Sequence, residues 1–199
     1  MRRLALLLAL LLPACALQPD HIEVRHQPQV MPAAMPGAEL IALSVVTQDN
    51  RQIRDRVGNK VNGYGMEMAP IIATNDVVAE LRQAIVRELE ARGFRTNGTD
   101  GRVEIEVLRF LNRFLVGFWT GTAQGELTAN VRVLSPGGQI LFTKNYTVEA
   151  QNPGIMLASG ENAQIALEEG LRRLVRAIGD DQDLLRVLGA LGGGGRPVS

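Results

Sequence analysis

Two histidines, a pair of glutamates and a glycine-flanked lysine are the residues here whose types and spacing could do chemistry. His21 and His26 are the only histidines. They stand five apart among prolines, whereas a helical metal pair wants i,i+4 spacing and a catalytic base must pack beside its nucleophile. They read as two solvated side chains. Glu104 and Glu106 alternate with Val103, Ile105 and Val107, which puts both carboxylates on one strand face, roughly 7 Å apart. Such a pair suits acid–base work on a glycosidic bond, and the same alternation also describes the wet face of a strand. Gly58 and Gly63 flank Lys60, but a phosphate-cradling loop ends in Gly-Lys-Ser/Thr, and Tyr64 follows Gly63. These residues assign no catalytic group, no metal ligand and no cofactor.

Cys15 is the single cysteine, so no disulfide can form within one chain. Before it come Arg2 and Arg3, an apolar run from Leu4 to Leu12, then Pro13 and Ala14. That run is shorter than the roughly 20 residues a membrane-spanning helix needs and suits the apolar region of a secretory signal. The Leu12-x-Ala14-Cys15 ending resembles a lipobox, which implies cleavage before Cys15 and acylation of Cys15. An ordinary signal cut elsewhere is the alternative. One acyl chain anchors marginally, so the two or three implied at Cys15 would hold the chain to a membrane. By resemblance to Gram-negative lipoproteins, in which Asp at the next position marks retention in the inner membrane, Ala16 implies the outer membrane.

Two further stretches could bind. Residues 58–70 read as a long loop carrying Tyr64, Met66 and Met68, and residues 114–119 carry Phe114, Phe118 and the only tryptophan, Trp119. Aromatic residues of this kind favour half-wet settings, as at a partner site or a membrane-touching tip. Alternatively Phe114, Phe118 and Trp119 fold back to cap the sheet. Tyr64, Met66, Phe118 and Trp119 are the candidate partner-binding residues.

The elements that must position these groups follow from periodicity. Residues 1–14 are the expected signal peptide. Residues 15–38 hold the lipidated cysteine and a tether rich in proline, able to reach about 70 Å at roughly 3.1 Å per residue. Within it, Ile22-Glu23-Val24 alternates as an edge strand would. Glu39–Thr47 reads as the first strand of a single domain over 39–191. Asn75 or Asp76 caps a helix with Val78, Leu81, Ile85 and Leu89 on one stripe, ended by Gly93. Three strands follow. In the first, the apolar phase slips at Leu108 and Phe110, which predicts a bulge. In the second, Glu126, Thr128, Asn130 and Arg132 form the wet face. Ser135–Gly138 turns the last two strands into a hairpin. A helix from about Ser159 carries Leu167, Leu171, Leu174 and Ile178, and Asp180 or Asp181 caps a short last helix. Residues 192–199 read as a disordered tail. The fold class expected is α+β: a mainly antiparallel sheet of about four strands, two main helices on one face, and a short C-terminal helix.

Charge excludes one function class. Lys plus Arg and Asp plus Glu both total 21. Losing Arg2 and Arg3 with the signal leaves the chain slightly acidic, without the basic excess that nucleic acid binding requires. Hydrophobic residues make up 46% and aromatic ones 4%, so the core must be chiefly aliphatic.

Taken in order, several features resemble the YajG-like lipoproteins of Gram-negative bacteria. They are the ending at Cys15, a first strand running into Asp49-x-Arg51, the helix from Asp76 to Phe94, Thr143-Lys144-Asn145-Tyr146 on the last strand, and Asp181 between the closing helices. The resemblance spans Leu40 to Leu188. It implies an outer-membrane lipoprotein facing the periplasm, and it assigns no catalytic residue. The expected function is a non-enzymatic binding or envelope-assembly module, held to the membrane through lipid on Cys15, with a protein or envelope component as partner. The alternatives are an auxiliary lipoprotein of an export or lipid-transport complex, and a cell-wall hydrolase.

Overall fold

The computed structural model describes residues 17–193; the expected signal segment, Cys15 and residues 194–199 lie outside them. Seven strands form one mixed sheet: β1 (Asp20–Ile22), β2 (Leu43–Asp49), β3 (Gly58–Val61), β4 (Glu67–Ala73), β5 (Gly101–Leu115), β6 (Gly121–Leu134) and β7 (Ile140–Ile155). Among the described residues three α-helices accompany it: α1 (Val77–Ala91), α2 (Gly160–Gly179) and α3 (Gln182–Ala190).

The helices obey their end signals. Asp76, and not Asn75, caps α1: its Oδ1 accepts from the N–H groups of Val78 and Ala79 at 2.9 and 3.0 Å. Gly93 takes φ 103° just after the C-terminal end, a conformation a side chain would strain. Ser159 caps α2 and Asp181 caps α3. Leu81, Ile85, Leu167, Leu171 and Leu174 meet Val103, Ile105, Val131 and Val133 in one core, so both long helices cover the same sheet face.

The sheet differs from the expected one of about four, mainly antiparallel strands. The meander β5-β6-β7 is antiparallel, as its alternation predicts. The other edge of β5 is shared between two parallel partners, β2 along Gly101–Val107 and β3 at Asn112. Beyond β3 come β4 and then β1, also parallel to β4. Patterning signals them only in part: Ile71-Ile72-Ala73 reads as a brief strand and is the end of β4, Ile22-Glu23-Val24 alternates as an edge strand and overlaps edge strand β1 at Ile22, and β3 is hidden. β3 is four residues long in a Gly- and Asn-rich stretch, β4 carries Pro70, and β1 lies among prolines, composition that argues against a strand. Parallel pairing needs a crossover and leaves no hairpin signature in the sequence. The stretch 58–70 is therefore chiefly a hairpin, with its turn at Asn62–Met66. The first strand of the domain begins at Leu43 and not at Glu39, because Gly37 (φ 83°) leads into a single 3₁₀ turn at Ala38–Leu40.

The predicted bulge is present. The β5–β6 register slips between Val107 and Arg109. Before the slip Val103, Ile105 and Val107 face the helices; after it Phe110 and Asn112 do.

From Asp20 to Ala38 the chain is a strap on the domain and not an extended tether. Ile22 and Val24 are buried. The Asn75 side chain brackets Val24, accepting from its N–H at 3.0 Å and donating to its carbonyl at 2.8 Å. The His26 N–H donates to Glu80, and the Met35 N–H to the carbonyl of Arg92. Unsatisfied backbone groups would make docking costly; these contacts provide them with partners.

Candidate functional site

Three connections converge at one end of the sheet: the β3–β4 turn, the β5–β6 turn at Val116–Thr120, and the link from β7 to α2 at Met156–Ser159. Each has a local cause. Asn62 Oδ1 accepts from the N–H groups of Tyr64 and Met66, both at 3.0 Å, and Gly65 takes φ 80°. A Cβ on Gly65 would lie 4.0 Å from Val116 Cγ2, so the first two turns touch. Gly154 (φ 74°) turns the end of β7 towards α2.

Together the three segments bound a cleft of about 680 Å³. Val61, Met68, Phe114, Ile155 and Leu157 give it apolar walls. Its charged part is Asp20 with Lys60. Lys60 Nζ donates to Asp20 Oδ1 at 2.9 Å, and Asp20 Oδ2 accepts from the Gly160 N–H at 2.7 Å, at the N-terminus of α2. Burial pushes the Asp20 carboxyl up, but the hydrogen bonds from Lys60 and Gly160 outweigh it and hold the group below the usual carboxylate value. The helix dipole favours the same charge.

Of the aromatic residues singled out in the sequence, Phe114 turns into the core, whereas Phe118 and Trp119 do not fold back. They are 90% and 82% exposed and meet edge to face at 4.8 Å on the cleft rim. Tyr64 is 91% and Met66 58% exposed on the neighbouring turn. The four candidate partner-binding residues thus lie on two touching tips. Sequence reasoning missed Asp20, Lys60, Met156 and Leu157. Lys60 drew notice only within a failed phosphate loop. The Met156-Leu157 pair, apolar and next to a helix cap, was the signal available.

The residues first considered for chemistry are engaged otherwise. Glu104 lies between Arg102 (3.5 Å) and Arg132 (3.3 Å), and Glu106 accepts from Asn50. Glu126, expected on the wet face, is buried between Arg109 (2.9 Å) and Arg113 (2.5 Å), whose long side chains cover it. His21 is exposed, but His26 is half-buried, with Nδ1 shielded from solvent. Burial, then Arg87, lowers the pKa of His26. Among the described residues no three His, Cys, Asp or Glu side chains gather as a metal site.

A family model described as uncharacterized lipoprotein matches residues 28–188. The chain belongs to this lipoprotein family. Membership implies a lipid anchor and a membrane-attached bacterial protein. Among the described residues of this lipoprotein no helix is long and apolar enough to cross a membrane. Solved structures similar to it include a protein from Xanthomonas campestris, 18% identical, with a TM-score of 0.49 over 88% of this chain and 96% of that one. A minor lipoprotein from Acinetobacter baumannii is 15% identical, with a TM-score of 0.46 over 73% and 92% of the two chains. No curated protein matches the sequence.

Proposed function

We propose that this lipoprotein is a YajG-like, non-enzymatic accessory module of the outer membrane. In this reading Cys15 carries the lipid, the domain faces the periplasm, and the end built from Tyr64, Met66, Phe118 and Trp119 is its working surface. The observation that carries it is the gathering of four large exposed side chains on two touching tips, beside an apolar cleft. Contiguous exposed apolar surface marks binding sites, and loops held by a rigid scaffold commonly supply them. The ion-paired Glu104 and the engaged Glu106 weigh against the hydrolase alternative, because a general acid and base must reach a substrate.

In-cell photo-crosslinking from positions 64 and 119, read by mass spectrometry, tests the surface. Capture of one envelope protein from both positions, and none from exposed Arg186 on α3, is the expected outcome. Equal background at all three positions, with neither an envelope protein nor phospholipid captured, sinks the reading. The anchor is tested separately. Mature chain should begin at an acylated Cys15, and Cys15→Ser should accumulate as precursor or soluble product; normal anchoring of that variant refutes the assignment.

The cleft itself favours a second reading, an auxiliary lipoprotein of an export or lipid-transport complex. Its volume falls within the range of about 300–1,000 Å³ typical of small-molecule sites. Co-purification with an inner-membrane complex distinguishes the two.

A further inference from the structure

The apolar end is also the end at which the chain arrives from its anchor. Asp20 lines the cleft and is fixed there by Lys60 and by the N–H of Gly160. Asp20 is the fifth residue after Cys15. At no more than about 3.6 Å per residue, Cys15 lies within roughly 18 Å of Asp20. Acyl chains on Cys15 enter the bilayer at the membrane surface, so the domain cannot stand far from that surface, and the cleft end is the part held nearest.

The composition of this end fits such a position. Residues 61–66, 114–125 and 150–160 contain no Asp, Glu, Lys or Arg, in a chain that is 21% charged. Their most exposed large side chains are Tyr64, Met66, Phe118, Trp119, Met156 and Leu157. Tyrosine and tryptophan are the side chains enriched at the boundary of headgroups and acyl chains. A cluster of basic residues, which would mark attraction to anionic headgroups, is absent from these three segments.

We infer that the three tips form a foot that rests in the interfacial layer of the same leaflet that holds the Cys15 acyl chains. The occupant of the apolar face is the phospholipid surface. The inference rests on the anchor assignment at Cys15 and on the working-surface reading, and it names the partner as lipid. Tethering makes the contact intramolecular in effect, so modest insertion suffices. The strap from Asp20 to Ala38 then orients the domain, fixing which end meets the membrane.

Trp119 is the only tryptophan, so the intact protein reports on itself. Acylated full-length mature chain, its mass verified, is reconstituted into phosphatidylethanolamine–phosphatidylglycerol vesicles, with or without bromines on the upper acyl carbons. Apolar faces at interfaces sit about 5–10 Å deep, within contact of those bromines, and Trp119 emission should fall by about half. Phe118→Ser with Met156→Ser, both at exposed positions, should weaken the quenching while leaving the melting temperature unchanged. Equal emission in plain and brominated vesicles, with full quenching by aqueous iodide, overturns the foot. If position 119 then captures an envelope protein in cells, the surface is a protein interface, and the working-surface reading stands without the lipid contact. A mature chain lacking acylation at Cys15 overturns the anchor and the foot together.

Discussion

Tyr146 donates its hydroxyl proton to Oδ2 of Asp181 across 2.8 Å, joining the last strand to the cap of the last helix. Lys144 Nζ donates to the same oxygen at 2.6 Å, while Oδ1 caps α3 through Asp183 and Leu184. Burial pushes the Asp181 carboxyl up, but these donors outweigh it and hold the group at about 2, below its usual 3.8. A carboxylate with a depressed pKa stabilises the fold above its unfolded value and loses that contribution as pH falls through its folded value. Urea unfolding should therefore show a drop in stability between pH 4 and pH 2 that Asp181→Asn removes. A hydrogen bond to a charged acceptor contributes about 1.5–3 kcal/mol, so Tyr146→Phe should cost about 1–2 kcal/mol at neutral pH. An Asp181→Asn profile as steep as the parent's would refute the assignment.

Alkali should act through the same contact with the opposite sign. Burial, then the hydrogen bond to Asp181, raises the Tyr146 pKa above 10.0. A group whose folded pKa is raised loses its contribution as pH climbs past the unfolded value. In an ultraviolet titration Tyr146 should ionise together with unfolding above pH 10. Tyr146→Phe should delete that late component; its persistence in the variant would count against the contact.

These two residues also show what was legible in the sequence. Lys144, Tyr146, Asp181 and the Asp49-x-Arg51 pair carry the family resemblance, and in the structure they are fold contacts. The Arg51 guanidinium donates twice to Asp49, both bonds at 2.9 Å. The residues on which the resemblance was drawn hold the frame together, and the resemblance assigned no catalytic residue. The helices, the β5–β7 meander and the bulge were legible because amphipathic periods and turn residues are local. The parallel pairing of β5 and the cleft were not, because each depends on residues distant in sequence: Asp20 meets Gly160, and Gly58 meets Asn112.

Asp20→Ala tests the joint between strap and cleft. The variant loses the ion pair with buried Lys60 and the acceptor for the Gly160 N–H. Breaking a fully buried pair costs about 3–5 kcal/mol. Asp20 keeps some solvent contact, so about 1–3 kcal/mol is the expected loss of unfolding free energy. Hydrogen exchange should rise across β1 and at the start of α2. Unchanged protection at Gly160 would show that the strap is held without this carboxylate.

Trp119→Ser and Tyr64→Ser should behave in the opposite way. Both side chains are exposed and outside the core. Surface substitutions of this kind shift stability by no more than about 0.5 kcal/mol. Denaturant midpoints should match the parent's while crosslinking and lipid contact fall. A large loss of stability would show that these side chains serve the fold.

Gly125 sets how closely α2 lies on the sheet, and its replacement offers a comparison with a built-in control. A Cβ at 125 would stand 2.6 Å from the carbonyl oxygen of Ala166, which belongs to the α2 backbone and cannot rotate aside. A Cβ at Gly170 would also meet an atom at 2.6 Å, but that atom is Leu127 Cδ1, the end of a rotatable side chain. Overpacking a core costs about 1–3 kcal/mol. Gly125→Ala should fall at the upper end, because all of α2 must lift, and Gly170→Ala at the lower end. Alanine is the better strand former at 125, so a loss there cannot come from propensity. The consequence reaches the cleft: lifting α2 also shifts Ser159, which lines it, and Gly160, which holds Asp20. Gly125→Ala should therefore disturb contacts made at the apolar end, and Gly170→Ala should not. Equal midpoints for the two variants would show that the separation of α2 from the sheet is looser than this geometry requires.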